Sequence, residues 1–169
     1  MSDILQIKFK KLLPSAVKPE RATPGSMGYD VVATTREEPV KDMLEVPIGE
    51  KIDHRFVSTG VYRPGFFFGK VFYGLGLAFE IPFGECAFLL PRSSINKHNM
   101  YLANSPGTID SDYRDEVKAC FYFNNTSTLY LPGERIGQLV FFPNPNVELI
   151  ESDELSETDR SGGFGSTGR

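Results

Sequence analysis

Val117-Lys118-Ala119-Cys120-Phe121-Tyr122-Phe123 and Ile136-Gly137-Gln138-Leu139-Val140-Phe141-Phe142 are the two runs whose reading settles the fold class. Aromatic and β-branched side chains crowd both, and Pro143-Asn144-Pro145 stops the second. Each reads as a strand of ordinary length. Outward from these runs, residues 77–81 and 86–90 read the same way, joined by Pro82-Phe83-Gly84-Glu85. Residues 4–9 alternate apolar and polar as a first strand, and 31–33 form another short one. Sixteen Gly and 12 Pro punctuate the chain too often for long helices. The one helix candidate is short, residues 93–98, led by serines. These signs predict an all-β protein, a jelly-roll-like β-sandwich with one short helix and a flexible C-terminal arm.

The organisation follows from the same pass. At 169 residues and 18.9 kDa the chain is long enough for a single well-filled core, placed over residues 1–150. Residues 36–55 are a charged connection with weak strand character. The Gly/aromatic stretch 60–76, around Pro64-Gly65-Phe66-Phe67-Phe68-Gly69, looks like an inserted hairpin, with the insertion itself spanning about residues 62–73. Residues 151–159 form an acidic linker, and 160–169 a glycine-rich arm.

Composition excludes several classes of function. A net charge of -4 and a pI near 5.3 argue against a nucleic-acid coat, which needs a basic face, while leaving room for a small anion where arginines gather. Cys86 and Cys120 sit in apolar runs and read as buried thiols rather than a disulfide or metal pair. His54 and His98 are too far apart in sequence to suggest a metal site. No basic leader precedes an apolar stretch, and no run approaches the ~18 apolar residues of a membrane span. The expected setting is cytoplasmic, with no membrane and no nucleic acid as partner.

Chemistry concentrates in five places. The last ten residues, Arg160-Ser161-Gly162-Gly163-Phe164-Gly165-Ser166-Thr167-Gly168-Arg169, combine free backbone, hydroxyl donors and two guanidinium groups, as an anion-cradling loop does. Phe164 needs something flat to cover, and a nucleobase fits; the plain alternative is a frayed terminus. Pro91-Arg92-Ser93-Ser94 sets hydroxyls and a guanidinium where a strand meets the short helix, unless a serine there is only a cap. Gly133-Glu134-Arg135-Ile136-Gly137-Gln138 places Arg135 and Gln138 three apart as a strand begins, or is a surface turn with a solvated arginine. Around Pro106 and Gly107, residues 104–110 are expected to form a hairpin offering backbone groups to a planar ligand. Asp110, after apolar Ile109, reads as a partly buried carboxylate suited to orient a water, or as a turn-forming acid like Asp112.

In order along the chain these segments resemble the five motifs of the homotrimeric dUTPase family. Gly25-Ser26-Met27-Gly28-Tyr29-Asp30 is similar to the first, Arg92-Ser93-Ser94 to the second and residues 107–113 to the third. Residues 133–138 match the fourth, and the closing arm the fifth. The resemblance implies hydrolysis of dUTP to dUMP and pyrophosphate, with Mg²⁺ held by the triphosphate and water rather than directly by the protein. It gives Asp110 the role of activating the water that attacks the α-phosphorus, and places Tyr113 under the deoxyribose. Asn104, with backbone groups of Gly107, Thr108, Ile109 and of Lys118 across the hairpin, would read the uracil edge. Arg92, Ser93, Ser94 and Gln138 would hold the α- and β-phosphates, with Asp30 and Arg135 in support. Arg160, Gly165, Ser166 and Thr167 would close over the γ-end, with Phe164 stacked on uracil. It also implies a homotrimer whose subunits share each site. Two departures stand out: Asp115 where the family usually has glycine, and the segment near 62–73. Two other functions share parts of this pattern: a dCTP deaminase-like enzyme of similar fold, and a protein of dUTPase fold with an added regulatory binding role.

Overall fold

Strand β12 (Arg135–Pro143) is the spine of one of two sheets. It runs antiparallel between β8 (Glu85–Pro91) and β3 (Tyr29–Val32). Beyond them lie β10 (Gly107–Ile109) and β2 (Glu20–Arg21), giving the order β10-β8-β12-β3-β2. The second sheet has the order β4-β6-β11-β9, built from Thr35–Arg36, Phe68–Gly74, Lys118–Asn124 and Tyr101–Leu102. Short β5 (Val40–Asp42) also pairs with β6, and β1 (Lys8–Lys11) pairs with β7 (Leu77–Glu80) apart from both sheets. The computed structural model describes residues 4–42 and 68–159.

Period-two alternation builds the layers. In β11, Ala119, Phe121 and Phe123 are buried, while Lys118, Cys120 and Tyr122 turn outward. Val31, Leu89, Ile136 and Leu139 from the first sheet meet Val71, Tyr73 and Phe121 from the second in one core. Each such large side chain contributes ~1.5–3 kcal/mol on burial. Tyr73 keeps its hydroxyl satisfied inside the core by donating to the Tyr130 carbonyl at 3.1 Å; burial pushes its pKa up to about 12, so it stays neutral. Consecutive strands from β8 to β12 change sheets at every step, which makes this an all-β, jelly-roll-like sandwich. Among the described residues no helix is long and apolar enough to cross a membrane.

The long apolar runs became β11 and β12, and residues 77–81 and 86–90 became β7 and β8. Four expectations need correction. The first strand is only Lys8–Lys11, because pairing with β7 begins at Lys8 opposite Glu80 and leaves Ile4 and Leu5 exposed. The helix is a 3₁₀ turn, Ser93–Lys97, too short to propagate as an α-helix. Residues 68–73 of the supposed insertion are the body of β6, where Val71 and Tyr73 are fully buried. Gly69 and Gly74 there looked like turn punctuation, but the side chains alternate as in a paired strand; residues 62–67 lie outside the described residues. Residues 104–110 are not a hairpin. β9 pairs with β11 and β10 with β8, so the Asn104–Pro106 turn carries the chain from one sheet to the other. Lys118 therefore sits in the opposite sheet from β10, not across a hairpin from it.

Candidate functional site

The first sheet sets Gln138 between Asp30 on β3 and Leu90 on β8 by register. Directly opposite residues share a face, so Asp30 and Gln138 stand side by side near the end of β8, where Arg92 follows. Asp30 holds two arginines at once. The Arg92 Nε donates to Oδ1 and the Arg135 Nη1 to Oδ2, each at 3.0 Å. The carboxylate is 14% exposed, against 25% for Arg92 and 54% for Arg135. Since Nε makes the contact, the two terminal nitrogens of Arg92 have no partner among the described residues. The Gln138 amide donates to the Pro91 carbonyl at 3.1 Å. A Cβ on Gly28 would strike the Gln138 side chain, so the glycine makes room for it.

Ser93 and Ser94 open the 3₁₀ turn beside this cluster. Arg92 occupies the capping position with extended backbone and no side-chain cap. Neither serine is spent on capping, and both hydroxyls are without a partner among the described residues. The far end of the turn is pinned twice to one residue: the Thr128 N–H donates to the His98 carbonyl at 2.9 Å, and His98 Nδ1 donates to the Thr128 carbonyl at 2.9 Å. The His98 ring stacks on buried Tyr130, with centroids 3.8 Å apart. Burial raises the Tyr130 pKa and Arg92 partly offsets that. A guanidinium and two hydroxyls thus stand together on a rigid footing, an arrangement suited to phosphate oxygens.

A second group lies along β10 and the turn after it. A Cβ on Gly107 would come within 3.2 Å of the Asn104 amide nitrogen and 3.5 Å of Leu89, so Gly107 lets Asn104 fold over the strand start. Thr108 is exposed and Ile109 buried. Asp110 is exposed, which corrects the expected partial burial: after inward-facing Ile109, strand alternation turns the next side chain out. The Tyr113 N–H donates to the Asp110 carbonyl at 3.2 Å, and the Tyr113 hydroxyl to the Glu116 carbonyl at 3.0 Å. Tyr113 is 41% exposed. Lys118 reaches Glu37 with its ammonium, at 2.7 Å. Asp115 is exposed and lacks the left-handed backbone a glycine would favour; among described non-glycine residues only Asn99 has a positive φ, 50°. Sequence reading missed Glu116, whose carboxylate accepts the Gly76 N–H at 2.8 Å. Its partner lies 40 positions away, so no local pattern could have revealed it.

Gly107 pairs with Leu89, close to Gln138, but the Asp110 end of this second group stands apart from Arg92. Ile109 stands opposite Ala87, so Asp110 continues toward Cys86, six strand positions from Arg92. At ~3.3 Å per residue that is about 20 Å. The arm residues Arg160, Phe164, Gly165, Ser166 and Thr167 lie outside the described residues. Among the described residues, no three or more His, Cys, Asp and Glu side chains cluster as a metal site would.

The dUTPase family model matches residues 63–168. The deoxyuridine 5'-triphosphate nucleotidohydrolase of Nautilia profundicola is 35% identical over 168 residues, covering 98% of this chain and all of that protein. That of a Hydrogenobaculum species is 36% identical, covering 97% of this chain and 99% of its own. A variant of the Staphylococcus bacteriophage 80alpha dUTPase, solved with dUpNHpp, shares the fold with a TM-score of 0.68 at 21% identity; the match covers 96% of this chain and 98% of that one. The residues, their order and these full-length likenesses agree, and the chain belongs to the dUTPase family.

Proposed function

We propose that this chain hydrolyses dUTP to dUMP and pyrophosphate, with water attacking the α-phosphorus, at a site completed by other copies of itself. The observation that carries the reading is the Asp30-locked Arg92, whose terminal nitrogens have no partner among the described residues, beside the Ser93 and Ser94 hydroxyls, which have none among them either. With Gln138, this group holds the α- and β-phosphates, and Arg135 supports it through Asp30. Asp110 orients the water and takes its proton. Tyr113 packs under the deoxyribose, leaving no space for a 2′-hydroxyl. Asn104 and the backbone of Gly107, Thr108 and Ile109 read the uracil edge, joined by the backbone of Lys118 from the other sheet. Arg160, Gly165, Ser166 and Thr167 close over the γ-phosphate, and Phe164 covers the base.

In-line attack at phosphorus needs positioning and charge neutralisation more than covalent help. Mg²⁺ bound to the triphosphate and water supplies part of that neutralisation and demands few protein ligands. The only carboxylate in the phosphate group, Asp30, is already engaged by two arginines, which fits a metal carried in with the substrate. A homotrimer fits two features of the chain. Arg92 and Asp110 stand about 20 Å apart along β8, so a second copy must bring them together. Beyond β12 the chain also leaves Val147, Leu149, Ile150 and Leu155 65%, 92%, 79% and 88% exposed, apolar surface that a neighbour would cover. The setting is cytoplasmic, where the reaction keeps uracil out of DNA and supplies dUMP.

Incubation with dUTP, dCTP, dTTP and UTP, following pyrophosphate and ammonia separately, tests the activity. Pyrophosphate from dUTP, with little from the other three and no ammonia, is the expected result. Ammonia from dCTP would replace this reading with a deaminase.

A further inference from the structure

The turn bearing Asp110 and Tyr113 is irregular, largely exposed and unpaired by any strand, yet the proposed chemistry needs both side chains held in place. Arg114 turns its guanidinium back onto that turn. Its Nη1 donates to the Ser111 carbonyl at 2.6 Å and to the Tyr113 carbonyl at 3.1 Å. One nitrogen thus ties together the carbonyls of Ser111 and Tyr113, the residues on either side of Asp112. Asp112 and Asp115 lie on either side in sequence, but Arg114 forms no ion pair among the described residues. Arg114 lines a cleft against the β1–β7 pair, with Lys8, Lys10 and Glu80. Glu80 is paired with the Lys8 ammonium at 2.8 Å, while the Arg114 hydrogen bonds go to the Ser111 and Tyr113 carbonyls.

From this geometry we infer that Arg114 is a positioning residue for the reaction. By tying Ser111 to Tyr113 it fixes the Asp110 carboxylate relative to the Tyr113 ring, so that turnover and sugar choice depend on one brace. The inference rests on the roles proposed above for Asp110 and Tyr113. Arginine is required because both bonds come from the terminal nitrogen; a lysine ammonium would end one C–N bond, about 1.3 Å, short of it.

The test compares Arg114→Ala, Arg114→Lys and Asp110→Asn in the full-length protein. It reads thermal stability, kcat and KM for dUTP, kcat/KM for UTP, and the effect of guanidinium chloride far below denaturing concentrations. In Arg114→Ala, kcat for dUTP is expected to fall about 100-fold, the scale of a small misplacement of reacting groups. KM should change less, and the preference for dUTP over UTP should narrow. Added guanidinium should restore part of kcat in Arg114→Ala but not in Asp110→Asn, and Arg114→Lys should recover only part of the loss. If Arg114→Ala keeps normal kcat and sugar preference while Asp110→Asn is inactive, the brace is wrong and the site reading stands. A loss that follows only the melting temperature, with no guanidinium rescue and unchanged preference, would also overturn it. Normal turnover in Asp110→Asn would overturn both.

Discussion

Replacing Asp110 by Asn is expected to lower turnover of dUTP by about 100-fold or more while keeping nucleotide affinity within an order of magnitude, the effect of removing a general base. Asp110 is exposed at the end of β10, and Asn keeps its size and one acceptor oxygen while losing the basicity that takes a proton from water. The side chain is outside the core, so folding should be unaffected. Steady-state kinetics with dUTP, together with binding of a non-hydrolysable analogue, separate the two effects. Near-normal turnover would remove Asp110 from the mechanism.

The second large effect is expected from deleting residues 160–169. β12 ends at Pro143, residues 144–159 are exposed, and the last buried residue of the described core is Val140, so the described core is expected to survive the deletion. The melting temperature should hardly move. Activity should fall about 100-fold or more, as when donors aimed at developing phosphate charge are lost. The arm is also proposed to exclude water once the substrate is seated, a contribution made only on closure. A truncated protein that hydrolyses dUTP at the normal rate would reduce the arm to a tail.

What the sequence disclosed depended on how local the physics was. Residues 117–123 and 136–142 were legible as strands because a two-sheet sandwich imposes alternation, and Lys118, Cys120 and Tyr122 obey it against Ala119, Phe121 and Phe123. Residues 68–73 were misread because Gly69 and Gly74 resemble turn residues, whereas partners more than 40 positions away in β11 decide the matter. The same holds for residues 104–110: Pro106 and Gly107 announce a turn, but which sheet each flank joins is a long-range choice. Within the site, residue types were readable and relations were not. Asp30 could be named as a support, but its grip on Arg92 and Arg135 spans 62 and 105 positions. The outward turn of Asp110 was available in principle, since buried Ile109 and a period of two determine it.

The separation of Arg92 from Asp110 makes the central claim directly measurable. Arg92→Gln and Asp110→Asn subunits, each folded and nearly inactive alone, are to be mixed, dissociated and allowed to reassemble. If every site takes its phosphate-holding group from one chain and its water-activating carboxylate from another, random mixed trimers regain roughly a quarter of wild-type activity, because that share of sites pairs two intact contributions. A mixture that stays as inactive as its components, although exchange has demonstrably occurred, would mean that each chain carries both groups of its own site and would contradict the account.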